Sequence, residues 1–349
     1  MKRIFTGQHL SLWRLTKQVT PQDHIMKYLM KKIPPYPHPV EFWVSDVTHV
    51  TEETGFRGIL KSEQFRPPNS EFSWWALKIK KGEIRSAEKR YMKSNVSNTA
   101  QELKEQKPFL EKFTTSPLFK LKKSRYGNYR FTFPLTDLMQ WYKEQNCGGE
   151  DPVLRVYGTV TYRQQIVYTV LIHSPEDNQR FGEYPLLEAS EWVQYQDGKI
   201  IWKAQAICET HRYQFISGEV QKLNTRKFYV WDLVSLIFYL PKPKSLKIPR
   251  ERLIEALEAC KLDKIDLSGY QGPKNKEERF LEAKMNIRGT KLWRRRAGSQ
   301  SLQDHYIQTT DCVDHANSQT CGRVEEESVL RVYKTITYRQ QRADSQTCG

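Results

Sequence analysis

The stretch VLRVYGTVTYRQQIVYTVLIH, residues 153–173, decides the fold of this chain. Its first ten residues alternate between polar and apolar side chains, which is typical of a strand with one covered face. The run QIVYTVLIH that follows is apolar almost throughout, as expected of a strand covered on both faces. We therefore predict two consecutive strands, the second of them inside a sheet.

The segment before this pair indicates further strands with a helix between them. EFWVSDVTHV at 41–50 and FSWWALKI at 72–79 are rich in aromatic and β-branched residues, which favour strands. Between them, Phe56, Ile59 and Leu60 have the spacing of one helix face. This part of the chain is predicted to run strand, helix, strand.

Turn residues mark two more elements. YRFTFPLTDLMQWYKEQNCGG at 129–149 begins as an alternating strand, turns at Pro134 and continues as a helix that ends at its two glycines. Asp197 and Gly198 lie between aromatic and β-branched runs and predict a hairpin. The chain is therefore predicted to have an α+β fold, with a mostly β core and flanking helices.

Four segments are expected along the chain. Prolines at positions 34, 35, 37 and 39 separate a basic N-terminal arm, residues 1–39, from a main domain at 40–240. The linker PKPKS opens a basic helical segment at 241–297, and the polar residues 298–349 are expected to be a disordered tail. Within this tail, VLRVYKTITYRQQ at 329–341 copies residues 153–165 except at two positions, which indicates a partial duplication or a gene-model artefact.

The charge balance favours anionic partners. Lys and Arg number 56 against 40 Asp and Glu, a formal net charge of +16, and such a field attracts phosphate-bearing molecules. Between residues 242 and 296, Tyr270 and Trp293 lie among cations, a pattern that suits RNA backbone binding with base stacking. RNA or an acidic protein is thus a candidate partner. The alternative is a solvated helix whose charges only keep the protein soluble.

Composition also limits the cellular compartments in which the protein is expected. The longest apolar run, residues 227–241, is interrupted by Asp232 and is shorter than the roughly 20 residues of a membrane-spanning helix, so no membrane partner is expected. The six cysteines lack paired spacing, as expected of reduced thiols in the cytoplasm or nucleus. His305, Cys312, His315 and Cys321 have the side chains of zinc ligands without a compact C-x-x-C, and no metal site is predicted.

Three short segments carry the functional hypothesis. HVTEETGFRGILKSEQFRPP occupies 49–68, SRYGNY occupies 124–129, and QQIVY occupies 164–168. In this order the three segments resemble the nicotinamide-binding framework of the ADP-ribosyltransferase superfamily, in particular the catalytic domain of poly(ADP-ribose) polymerases. The resemblance covers residues 41–175. It implies NAD as the bound cofactor or substrate and does not assign an oligomeric state.

The resemblance also implies roles for single residues. In the family's H-G-S/T motif, His49 takes the His position and contacts the nicotinamide ribose, and Thr51 flanks the amide. Val50 replaces the central Gly. SRYGNY is similar to the family's S-x-S-x-N-Y, which places Ser124, Tyr126 and Tyr129 at the cofactor.

The final Tyr of S-x-S-x-N-Y stacks on nicotinamide, a role that passes to Tyr129. From the residues alone, Tyr126 and Tyr129 are also typical of core aromatics, and His49 is typical of a hydrogen-bonded strand histidine.

The family's catalytic Glu has no counterpart in this sequence. By spacing, its position is taken by Gln164 or Gln165. A Gln keeps a hydrogen bond but loses the negative charge that stabilises a cationic transition state, which typically costs about 3 kcal/mol. The sequence therefore predicts a divergent, NAD-binding protein with at most mono-ADP-ribosyl transfer. The competing prediction is an inactive RNA- or protein-binding module on the same fold.

Overall fold

The computed structural model describes residues 2–22, 26–29, 39–67, 69–95, 110, 122–163, 165–208, 213–216, 219–222, 228–230 and 232–307. Backbone contacts divide the chain into two units, Met1–Arg295 and Arg296–Gly349. The contacts discussed below lie within the first unit.

The strands of the described residues are numbered in chain order. They are β1 (Lys2–Thr6), β2 (Val40–Val44), β3 (Asp46–Thr51), β4 (Gln64–Phe65), β5 (Phe72–Lys78), β6 (Lys123–Ser124), β7 (Tyr129–Pro134), β8 (Val153–Tyr162), β9 (Gln165–His173), β10 (Val193–Gln196), β11 (Lys199–Ala204), β12 (Ala206–Cys208), β13 (Tyr213–Ile216), β14 (Glu219–Lys222), β15 (Phe228–Val230), β16 (Asp232–Tyr239), β17 (Leu246–Lys247), β18 (Leu257–Ala259) and β19 (Lys261–Leu262).

The helices of the described residues are numbered in the same way. They are α1 (Leu12–Gln18), α2 (Met26–Leu29), α3 (Glu53–Ser62), α4 (Lys81–Asn95), α5 (Leu135–Asn146), α6 (Asn178–Phe181), α7 (Arg250–Ala256) and α8 (Lys276–Ile307), with short 3-10 turns at Pro175–Asp177 and Leu187–Ala189. None of them is long and apolar enough to cross a membrane.

One mixed sheet forms the centre of the fold. Its strand order is β1-β8-β9-β16-β5-β3-β7-β18, and β9 and β16 run parallel while their other neighbours are antiparallel. Every residue of β9 and β16 is buried, which confirms the prediction of a strand covered on both faces and explains the apolar sequence at 227–241. The chain therefore has an α+β fold.

The N-terminal residues belong to this sheet, which corrects the expected arm at 1–39. β1 pairs with β8 from Lys2↔Tyr162 to Thr6↔Gly158 and forms one edge of the sheet. Leu10 and Leu15, which follow β1, are buried in the core. The proline-rich boundary near residue 40 thus does not separate an appendage, because the segment before it supplies a strand to the main unit.

The basic segment at 241–297 is also part of the fold rather than a helical appendage. Within the segment predicted to be helical, α7 ends at Ala256 and β18 follows, pairing with β7 as Leu257↔Phe131. Cross-strand pairing with a buried aromatic thus overrides the helical propensity of LEA. Of the expected tail, residues 298–307 lie in α8, and residues 308–349 lie outside the described residues.

A second, three-stranded sheet packs against the first. The predicted strand at 41–50 breaks at Ser45, so β2 joins β11 and β10 while β3 joins the large sheet. The predicted hairpin at 197–198 is confirmed, with positive φ angles of 49° at Asp197 and 73° at Gly198. The Trp202 indole on β11 donates to the Asp232 carboxylate on β16 and so links the two sheets.

Candidate functional site

The large sheet opens between β3 and β5. These strands pair from Asp46↔Lys78 only as far as Thr48↔Ala76, after which β3 continues along β7 and β5 continues along β16. A cavity of about 470 Å³ lies at this opening. Three consecutive residues of each diverging strand line it, namely Thr48, His49 and Val50 from β3 and Trp74, Trp75 and Ala76 from β5.

The remaining walls come from distant parts of the chain. They are Lys2, Tyr126, Val160, Tyr162, Val167 and Ser235. Aromatic rings and aliphatic side chains make up most of the surface, with a few polar atoms among them, which is the usual composition of a small-molecule site. No lining residue among those described carries a carboxylate.

Tyr126, which lines the cavity, forms a hydrogen bond with Gln165, which does not line it. The Tyr126 hydroxyl donates to Oε1 of Gln165 at 3.1 Å, although the two residues are 39 positions apart. Burial of the phenol raises the pKa of Tyr126. Gln165 is opposite Tyr162 in the β8–β9 hairpin and two residues before Val167, so its side chain points to the face of the sheet that bears the cavity.

The amide of Gln165 is only partly satisfied. The residue is 2% exposed, and its Nε2 has no hydrogen-bond partner among the described residues. A tyrosine hydroxyl can donate or accept, so exchanging the amide oxygen and nitrogen leaves one polar atom unpaired in either orientation. A buried polar atom without a partner is costly, and a ligand in the cavity is one way to supply that partner.

Thr48 presents a second unpaired polar atom to the same cavity. Its hydroxyl has no partner among the described residues, and the residue is 7% exposed. Sequence reasoning selected Thr51 and missed Thr48. The alternation of side chains along β3 would not have found Thr48, because His49 and Thr51 share one face of the strand and Thr48 and Val50 share the other.

His49 is held in one orientation where the strands separate. Its Nδ1 donates to the backbone carbonyl of Trp74 at 3.0 Å, and its ring lies 5.1 Å from Phe65 and 5.3 Å from Trp75 between ring centroids. Burial lowers the pKa of His49, so the imidazole is neutral at pH 7. With Nδ1 protonated, Nε2 is left as an acceptor suited to a ligand hydroxyl.

Tyr129 does not line this cavity, which corrects the prediction that it stacks on nicotinamide there. Its ring stacks on Phe56 with centroids 4.3 Å apart, and its hydroxyl accepts from Asn286 Nδ2 of α8 at 2.8 Å. Tyr129 is 3% exposed. In the β3–β7 register it is opposite Thr51, so both side chains point away from the face on which Thr48 lies.

Two other predicted site residues, Ser124 and Thr51, contribute to the local backbone structure and not to the cavity lining. The Ser124 hydroxyl accepts from the backbone N–H of Tyr126 at 3.1 Å and shapes the turn that presents the phenol. Thr51 is the point at which the SRYGNY segment meets β3, because a Cβ atom at Gly127 would lie 2.1 Å from the Thr51 carbonyl oxygen. Neither residue lines the cavity, and Gln164 lies outside the described residues.

Several described cations of the basic segment have partners within the protein, whereas the side chains from Trp293 onward lie outside the described residues. Lys261 pairs with Glu277 at 3.0 Å and Lys274 with Glu282 at 2.7 Å. Arg279 pairs with Glu52 at 2.9 Å and lies over the Tyr270 ring at 3.6 Å.

These contacts occupy side chains that the RNA hypothesis assigned to phosphate and base. The described residues also contain no His, Cys, Asp and Glu cluster arranged to hold a metal ion.

Comparison of the chain with protein-family models, with curated proteins and with solved structures gives no match.

Proposed function

We propose that this protein binds NAD, with the nicotinamide and its ribose in the cavity between β3 and β5. The observation that carries the proposal is the hydrogen bond between Tyr126 and Gln165 beside His49. These residues belong to the three separate segments that resemble the ADP-ribosyltransferase framework. His49 and Tyr126 line the cavity, and Gln165 is joined to it through its bond to Tyr126. On this proposal the α+β domain is of the ADP-ribosyltransferase type.

The cavity offers the contacts that this ligand needs. Tyr126, Trp74 and Tyr162 provide aromatic surface for a pyridine ring, in place of Tyr129. The unpaired atoms of Thr48 and Gln165 suit the donor and acceptor of a carboxamide. The unprotonated Nε2 of His49 can accept a hydrogen bond from a ribose hydroxyl.

Transfer of ADP-ribose is expected to be slow at best. Cleavage of the nicotinamide–ribose bond develops positive charge on the ribose, and a carboxylate stabilises that charge. By spacing, the position of the family's Glu falls at Gln164 or Gln165, and both side chains are neutral. We therefore propose a protein that binds NAD and transfers at most a single ADP-ribose unit, too slowly to elongate a polymer.

The competing function, recognition of RNA or an acidic protein without NAD, gains no specific support from the described basic segment. Several of its described cations bond to carboxylates or backbone carbonyls, as at Lys276, which donates to the Asp263 carbonyl at 2.8 Å. Salt-dependent RNA binding that is lost on charge reversal of this segment would favour it over NAD binding.

Thermal unfolding with and without NAD tests the proposal. A ligand at a concentration 100 times its Kd stabilises the folded state by about 2.7 kcal/mol, which gives a measurable rise in Tm. Val50→Phe places a larger side chain in the cavity wall, where it competes with the ligand for space, and is expected to reduce this rise strongly. Thr48→Val is expected to reduce it, whereas Thr51→Val, an equally small change on the same strand outside the cavity, leaves it unchanged.

If millimolar NAD does not shift the Tm of the unmodified protein, the proposal is wrong. Where binding is found, incubation with NAD labelled in the adenylate moiety measures transfer to protein separately from binding.

A further inference from the structure

Lys2 is the positively charged member of the cavity lining among the described residues. The other titratable groups there are the neutral His49 and the phenols of Tyr126 and Tyr162. Lys2 forms no ion pair with the described residues, and its Nζ lies 5.0 Å from the centroid of the Trp74 ring at the cavity wall. A free cation at the edge of an otherwise uncharged cavity is an electrostatic site for an anion.

The sheet register sets the position of Lys2. In β1, Lys2 is opposite Tyr162 and Ile4 is opposite Val160, and both β8 residues line the cavity. Directly opposed residues of antiparallel strands project to the same face, so Lys2 projects to the cavity side. Lys2 is exposed, which puts its ammonium group at the mouth rather than on the floor.

Gly158 fixes that register. A Cβ atom at this position would lie 2.1 Å from the Phe5 carbonyl oxygen, so β1 approaches β8 this closely only beside a glycine. The irregularity between Val156 and Gly158 in the β8–β9 pairing lies at the same place. The near-copy of β8 in the tail has Lys334 where β8 has Gly158, so it does not offer β1 the same partner surface.

We infer that Lys2 binds the phosphate next to the nicotinamide ribose, and that the site is selective for phosphorylated nicotinamide nucleotides. The inference rests on the proposed function, since it takes the nicotinamide end to lie between β3 and β5. Nicotinamide and its riboside lack the anion that Lys2 recognises, whereas nicotinamide mononucleotide and NAD carry it. A lysine contacts phosphate as a point charge with rotatable donors, so a fixed bidentate geometry is not required.

Calorimetric titration with a ligand series tests the inference in the full chain. The ligands are nicotinamide, nicotinamide riboside, nicotinamide mononucleotide and NAD. In the unmodified protein the mononucleotide is expected to bind more tightly than the riboside. Lys2→Gln is expected to weaken the binding of the mononucleotide and of NAD by about tenfold, which is the effect of losing one hydrogen bond to a charged group. The affinities for the unphosphorylated ligands are expected to be unchanged.

Lys17→Gln is the matched control. Lys17 also lies over an indole, with Nζ 3.6 Å from the Trp13 ring centroid, but it does not line the cavity. This variant makes the same charge change and is expected to bind all four ligands like the unmodified protein. Lys2→Arg keeps the charge and is expected to retain most of the preference for phosphate.

The outcomes separate the two claims. If Lys2→Gln binds the mononucleotide and NAD as tightly as the unmodified protein, the role of Lys2 is wrong while the proposed function stands. If the unmodified protein binds none of the four ligands, both are wrong. A loss equal for riboside and mononucleotide also overturns the inference, because it shows that Lys2 does not act on the phosphate.

Discussion

Tyr126 and Tyr129 lie three residues apart in SRYGNY, yet their surroundings differ completely. Tyr126 is 45% exposed, lines the cavity between β3 and β5, and donates to Gln165. Tyr129 is 3% exposed, stacks on Phe56 of α3 and accepts from Asn286 of α8. One tyrosine is available to a ligand, and the other is held by the packing of two helices.

The backbone between the two tyrosines explains the difference. At Gly127 the chain comes so close to the Thr51 carbonyl that a Cβ atom would overlap it, and Asn128 Nδ2 then donates to the Cys260 carbonyl at 2.9 Å. The chain is thereby pinned between β3 and the segment after β18. Tyr126 is left on the cavity side of this crossing, and Tyr129 begins β7.

The largest effect is expected when each tyrosine is truncated. Tyr129→Ala removes a buried ring stacked on Phe56 and should lower the free energy of unfolding by about 3–5 kcal/mol. Tyr126→Ala removes a half-exposed ring together with the donor to Gln165, and should lower it by roughly 2 kcal/mol while reducing the rise in Tm caused by NAD. Urea unfolding monitored by tryptophan fluorescence measures both. Equal losses for the two variants would remove the distinction between a packing tyrosine and a binding tyrosine.

Gln165→Glu sharpens the chemical side of the comparison. A carboxylate beside Tyr126 would supply the charge that the cavity lacks, and release of nicotinamide from NAD should rise by about a hundredfold to a thousandfold, an effect of about 3 kcal/mol. Chromatographic measurement of free nicotinamide checks the rate. Gln165→Ala, which adds no charge, should show no increase. A Gln165→Glu protein that binds NAD without faster release would argue against this position as that of the catalytic Glu.

Much of the central sheet could be predicted from local sequence. The apolar runs at 165–173 and 232–239 are buried strands, and Phe56, Ile59 and Leu60 are the buried face of α3. The edge strands β1 and β18 could not be predicted in this way. β1 is at most half-buried, and its partner β8 is some 150 residues away, so KRIFT has no strong periodic signal of its own.

The site could be predicted only to the level of segments. The motifs indicated parts of the chain that come close together: His49 and Tyr126 line the cavity, and Gln165 bonds to Tyr126. They did not indicate which side chain of each segment points inward. That choice depends on contacts between distant residues, such as the bond of Tyr129 to Asn286, which is 157 positions away.

Unpaired polar atoms also differ between the two faces of the sheet. Thr48 lines the cavity, and Gln165 lies on the same side of the sheet and bonds to the lining residue Tyr126. Asp232 is three residues before the cavity-lining Ser235, so strand alternation directs it to the opposite, fully covered face. Its Oδ2 accepts from Trp202 and from the Gln205 backbone, while its Oδ1 has no partner among the described residues.

The pH dependence of the free energy of unfolding tests the burial of Asp232 on this covered face. Burial raises the pKa of Asp232 from 3.8 to about 7. Between these two values the folded state binds more protons than the unfolded state, so stability falls as pH rises. Burial lowers the pKa of His9 from 6.5 to about 4, and this group makes stability rise with pH between those values. Each contributes about 1.4 kcal/mol per pH unit, so the two oppose each other.

Asp232→Asn should therefore expose the contribution of His9. The free energy of unfolding of this variant is expected to rise between pH 4 and pH 6.5. In the unmodified protein the opposing contributions of Asp232 and His9 nearly cancel over this range. Urea unfolding across this range measures the slope. An unchanged pH profile in the variant would show that Asp232 is already ionised in the folded state.

The smallest effect concerns the bond that carries the functional proposal. Tyr126→Phe removes the donor to Gln165 and leaves that buried amide without any partner among the described residues, which should destabilise the protein by about 1 kcal/mol. Gln165→Met removes the amide, and in the double variant no polar group is stranded. The double-mutant cycle should therefore give a coupling free energy of about 1 kcal/mol.

Tyr129→Phe is the internal control for that cycle, because it also removes one hydroxyl. Its partner Asn286 keeps a contact of 3.5 Å with Glu53 and is only part-buried, so less polar surface is stranded than at Gln165. A coupling near zero between Tyr126 and Gln165 would mean that these side chains do not bond in solution. The two segments would then share a cavity without being joined across it, and Tyr126 would resemble Tyr129 in sequence position only.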